Sequence, residues 1–109
     1  MSRTLRIVER ARIDVEEIFN WLVHRSMRGA ISWYLAFYRA VDTIAAAPEA
    51  FGEASEAVLL GRRLHQSIFK TRRGRTYRII FELSDAEIIV LRVRGPGQRP
   101  LKGRELPNE

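Results

Sequence analysis

Tyr77-Arg78-Ile79-Ile80-Phe81-Glu82-Leu83-Ser84-Asp85-Ala86-Glu87-Ile88-Ile89-Val90-Leu91-Arg92-Val93-Arg94 is the stretch that decides the fold. Two runs rich in β-branched and aromatic residues flank a short polar link, which is the pattern of an antiparallel hairpin. A turn over 84–86 sets Leu83 opposite Glu87, Phe81 opposite Ile89, Ile79 opposite Leu91 and Tyr77 opposite Val93. Side chains alternate along a strand, so this set shares one apolar side that has to meet a second layer. The other side then carries Glu82 with Ile88, Ile80 with Val90, Arg78 with Arg92, and Thr76 with Arg94. Like charges facing each other on a sheet are unfavourable. The Arg78/Arg92 pair therefore points to an acidic group or an anionic ligand between them, unless both guanidiniums splay into water over Ile80 and Val90.

Working outward, residues 63–71 read as a further strand, turned into the hairpin by Arg72-Arg73-Gly74-Arg75. Short turns make the three strands an antiparallel meander. Upstream, residues 4–9 around Leu5-Arg6-Ile7-Val8 read as a first strand. Asp14-x-x-Glu17 has the form of a capping box with Ile13 and Ile18 as its staple. The helix it opens, which starts as early as Ala11, carries a stripe of Val15, Ile18, Phe19, Leu22 and Val23. After the break at Ser26-Met27-Arg28-Gly29, a second helix over about 29–47 places Ala30, Tyr34, Phe37, Val41 and Ile44 on one face, widened by Ile31, Leu35 and Tyr38. Pro48 stops it, and residues 48–61 read mostly as loop. Trp21 and Trp33 lie at the stripe edges and are expected in the core. The expected fold is α+β, in the order β-α-α-β-β-β: an antiparallel sheet with an N-terminal strand, a helical hairpin on one face and a C-terminal meander. One domain spans 1–109, with its core over about 4–100 and a tail over 101–109.

Composition narrows the function. With 46% hydrophobic and 29% charged residues and no cysteine, disulfides and thiolate metal sites are excluded. No apolar run reaches a membrane span, and the start reads straight into a strand without a signal-peptide core, so a cytoplasmic protein without membrane partners is expected. No His/Asp/Glu spacing suggests a metal, and no cofactor is expected. Residues 1–60 hold seven Lys/Arg against eight Asp/Glu, whereas residues 61–109 hold twelve against five. Such asymmetry suits an anionic partner, or simply a solvated basic face. The two histidines, His24 and His65, read as surface or partly buried side chains.

In order and wording the chain resembles the RelE/ParE toxins of bacterial type II toxin–antitoxin systems over about residues 4–100. The resemblance rests on Ala11-x-x-Asp14-Val15-x-x-Ile18, Ala47-Pro48, Gly61-Arg62-Arg63-Leu64, Tyr77-Arg78-Ile79-Ile80-Phe81 and Ile89-Val90-Leu91-Arg92-Val93. It implies a growth-arresting toxin silenced by a cognate antitoxin in a hetero-oligomer. Such an antitoxin would carry an acidic, amphipathic segment that neutralises the basic half and covers apolar grooves beside the helices. ParE-like members bind and poison DNA gyrase, whereas RelE-like members cut ribosome-bound mRNA. If this chain is RelE-like, the resemblance assigns Arg78, Lys70 and Arg94 to the scissile phosphate. Arg92, Arg99 and Arg63 complete the anion- or nucleic-acid-binding set. Arginine suits phosphate because its planar fork donates two parallel hydrogen bonds. The nuclease set is incomplete: Ile68 stands in the place of a second lysine, and the tail offers no tyrosine or histidine as a general acid. The ParE-like reading is therefore preferred. A stand-alone nucleic-acid-binding domain is the further alternative.

Overall fold

The computed structural model describes residues 3–72, 74–96, 98 and 101–106. Strand β1 (Thr4–Ile7) leads into helices α1 (Glu9–Val23) and α2 (Met27–Ala46). A 3-10 turn (Pro48–Ala50) and a short helix α3 (Glu56–Leu60) follow. The chain then forms β2 (Leu64–Phe69), β3 (Tyr77–Leu83) and β4 (Glu87–Arg94), and ends in a 3-10 turn (Gly103–Glu105). The sheet order is β1-β4-β3-β2. The α+β architecture and the β-α-α-β-β-β order hold. The sheet is mixed rather than purely antiparallel, because β1 runs parallel to β4, with Ile7 beside Val90. The long excursion through the α-hairpin permits such a parallel return.

The helices cover one sheet face, α1 over β4 and α2 over β2. Their core is aromatic. Trp33 lies 5.9 Å from Phe37 and 5.5 Å from Tyr77 (ring centroids), and Phe69 stacks on Tyr77 at 5.8 Å. The buried face of α2 is Ala30, Trp33, Phe37, Ala40, Val41 and Ile44. It is rotated from the expected stripe, leaving Tyr34, Ile31, Leu35 and Tyr38 exposed. Trp33 is buried as expected. Trp21 is not: it is 54% exposed, with the Arg25 guanidinium 4.0 Å over its ring.

Three local expectations fail for identifiable reasons. Asp14 is not a helix cap. α1 begins at Glu9 with Val8 as its uncapped N-terminal neighbour, so Asp14 lies in the second turn and is buried. Residues 48–61 are not mostly loop; α3 forms there and ends on Gly61 at φ 62°, a conformation that favours glycine. Residues 101–106, expected as a tail, pack into the core through Leu101 and Leu106.

The β3–β4 register also departs from expectation. Leu83 faces Ile88 and Phe81 faces Val90, one residue off; then a bulge leaves Leu91 unpaired, so that Ile80 faces Arg92 and Arg78 faces Arg94. The extra residue keeps the apolar positions of both strands buried: Ile79, Phe81, Val90, Leu91 and Val93 all lie in the core.

Ser26 caps α2 by accepting the Gly29 N–H at 3.0 Å. Ser26→Ala is expected to lower stability by about 1 kcal/mol, as read from the urea midpoint at unchanged m-value.

Candidate functional site

β3 and β4 deliver Arg78, Arg92 and Arg94 to the face away from the helical hairpin. That face is not bare. Ile80, Leu64 and Ile89 on it are buried, and α3 and residues 101–106 close over it. Each arginine meets the covering layer differently.

Arg78 is held by Glu56, which projects from α3. Arg78 Nη2 donates to Glu56 Oε2 at 2.6 Å, and Nη1 donates to Oε1 at 3.0 Å and to Gln66 Oε1 at 3.1 Å. Glu56 is 1% exposed and also accepts the Leu101 N–H at 2.8 Å, which ties the C-terminal segment to the same carboxylate. Burial pushes the Glu56 carboxyl up. The hydrogen bonds from Arg78 and from backbone amides, with the Arg78 charge, outweigh it and hold the pKa at about 2.

Arg92 makes a second forked pair. Its Nε donates to Asp14 Oδ2 at 2.7 Å, its Nη2 to Asp14 Oδ1 at 3.0 Å, and its Nη1 to the Glu105 carbonyl at 2.9 Å. Asp14 Oδ2 also accepts the Val93 N–H at 2.9 Å, so a side chain continues the edge of β4 where β1 has ended. Arg10 approaches the same carboxylate at 3.2 Å. Burial, and then the neighbouring Arg92, lower the pKa of Arg94; Glu105 and Asp14 act against them.

The acidic group demanded by facing arginines is therefore present, but in two places. Glu56 and Asp14 supply it, one from a segment expected as loop and the other from an expected cap. Glu82 pairs instead with Arg62, at 2.7 Å. Lys70 does not join Arg78: it is exposed beyond β2 and lines shallow hollows on the α2 side with Arg39 and Arg72. Arg63 is exposed just before β2, where its carbonyl accepts the Leu83 N–H. Arg99 and Arg73 lie outside the described residues. The structure thus groups Arg78, Arg92 and Arg94 and separates them from Lys70.

Two adjoining clefts flank α1 and share Asp14, Glu17 and Gln98. One, of about 550 Å³, brings together Arg10, Arg92, Arg94 and Arg104 against Asp14, Glu17 and Glu105. The other, of about 380 Å³, is walled by Ile18, Trp21, Tyr77, Val93 and Pro96, with Arg75 at its rim. Neither histidine lines them. His24 is exposed and its Nδ1 donates to the Asn20 carbonyl, and His65 stacks on Phe81 at 5.6 Å. The clefts offer cations, carboxylates and an apolar wall. Among the described residues no cluster of His, Asp and Glu is arranged to hold a metal ion, and no helix is long and apolar enough to cross a membrane.

No protein-family model matches the chain, and no curated protein matches its sequence.

Proposed function

We propose that this protein is the toxin subunit of a type II toxin–antitoxin pair, RelE/ParE-like and cytoplasmic, and that it arrests growth by binding its target rather than by cutting RNA. DNA gyrase is the target that the ParE-like resemblance implies. One observation carries the choice between mechanisms. The guanidinium fork that a nuclease would turn on a scissile phosphate, that of Arg78, is filled by the buried Glu56 carboxylate. A phosphate would have to displace an internal ion pair, and Lys70 stands apart from it. The cleft beside α1 suits the antitoxin: its apolar wall receives an amphipathic segment, and Arg75 and Arg104 attract that segment's acidic side chains.

The excess of guanidiniums in the larger cleft favours a second reading, an mRNA endoribonuclease acting in the ribosome. Purified protein separates the two. Inhibition of gyrase supercoiling with mRNA left intact on translating ribosomes is the expected result. Position-specific mRNA cuts that vanish in Arg78→Ala would establish the ribonuclease instead. Salt-sensitive binding to free RNA, without growth arrest on induction, would remove both toxin readings.

A further inference from the structure

The rotation of α2 leaves an apolar ladder on its outer side. Met27, Ile31, Tyr34, Leu35 and Tyr38 recur three or four residues apart and are 40–56% exposed. Large apolar and aromatic side chains exposed side by side along one helix face mark an interaction surface. The ladder is also stiff: Tyr34 lies edge-on to Tyr38 at 4.9 Å and to Phe19 at 5.7 Å, so little side-chain freedom remains to be lost on contact.

Charge chooses the occupant. The basic excess of the chain lies in residues 61–109, whereas residues 9–46, which span the helical hairpin, hold five Arg against five Asp/Glu. An acidic segment is drawn to the former half, and a near-neutral surface does not repel its own copy. The ends of the ladder are marked by opposite charges. Arg28 sits one heptad before Leu35, and Asp42 one heptad after it. Both are exposed, and among the described residues neither has an ion-pair partner. The two lie about 21 Å apart along the helix.

We infer that α2 is a self-complementary interface, on which a second copy of this chain docks antiparallel about a two-fold axis at Leu35. In that arrangement each Arg28 meets Asp42 of the other copy, and the apolar rungs interleave between them. A parallel arrangement would stack Arg28 on Arg28 and Asp42 on Asp42, which like charges oppose. The interface lies apart from the cleft assigned to the antitoxin and does not depend on that assignment.

The absence of cysteine makes the test clean. Sedimentation of the full chain at micromolar concentration is expected to show a dimer. Leu35→Cys should cross-link quantitatively under mild oxidation, because the two-fold axis brings that residue against itself. Asp85→Cys, at the exposed β3–β4 turn, should not. Arg28→Asp should weaken dimerisation at least ~10-fold, and Arg28→Asp combined with Asp42→Arg should recover most of the loss. These side chains are exposed, and circular dichroism verifies that each variant is folded. A monomer at these concentrations overturns the inference, as does a dimer that ignores Leu35→Glu and the charge reversal.

Discussion

Asp14→Ala is expected to remove about 3–5 kcal/mol of stability, enough to endanger folding altogether. Small domains hold only about 5–15 kcal/mol in reserve. The side chains of Asp14 and Arg92 are 5% and 6% exposed, so truncating the acid strands a guanidinium in the interior. The same change orphans the Val93 N–H, because Asp14 is its acceptor. Urea unfolding measures the loss. Asp14→Ala with Arg92→Met should regain a large part of it, because the uncompensated charge is then gone, although the Val93 amide remains without its acceptor. A loss below about 1 kcal/mol for Asp14→Ala would mean that water reaches the pair, contrary to its burial.

The second large effect is a pH dependence set by Glu56. Its folded pKa of about 2 lies below the ordinary 4.5, so the folded state binds its proton later than the unfolded chain does. The stabilisation is complete above about pH 4.5 and drains away as the pH falls towards 2. Two and a half pH units correspond to about 3 kcal/mol. Glu56→Gln should therefore be markedly less stable than the parent at pH 7, and the gap should close on acidification. Glu49 and Glu87, held below the usual range by hydrogen bonds from Arg3 and Arg6, contribute to the same acid limb. Subtracting the two curves isolates Glu56. A gap of constant size from pH 7 to pH 2 would refute the assignment.

How far the sequence could be read depends on the range of each signal. The apolar patterns of 77–83 and 87–94 made two antiparallel neighbouring strands legible, though not their register. The bulge at Leu91 was not legible: residues 88–91 are all apolar, so shifting the pairing across them leaves the pattern unchanged. The helical hairpin was legible as a pair of periodicities. The rotation of α2 was not, because apolar residues cover more than half its circumference and only contact with the sheet chooses Trp33 over Tyr34. The arginine face was legible as a problem, since like charges opposite each other require an answer. The answer came from acids 22 and 78 residues away along the chain. Glu56 sat in a stretch whose Pro and Gly suggested loop, and Asp14 sat where a cap was equally reasonable. Leu101 and Leu106 alone hinted that the tail returns to the core.

The Asp14–Arg92 fork joins α1 to β4, and β1 is joined to the same strand, its only strand neighbour among the described residues. A chain halted before β4 leaves β1 without the strand it pairs with and Asp14 without Arg92. Contacts of such long range form late and slowly. Until β4 is in place, α1 has only its packing against α2. A truncation that removes β4 would leave an unfinished molecule rather than a shortened one.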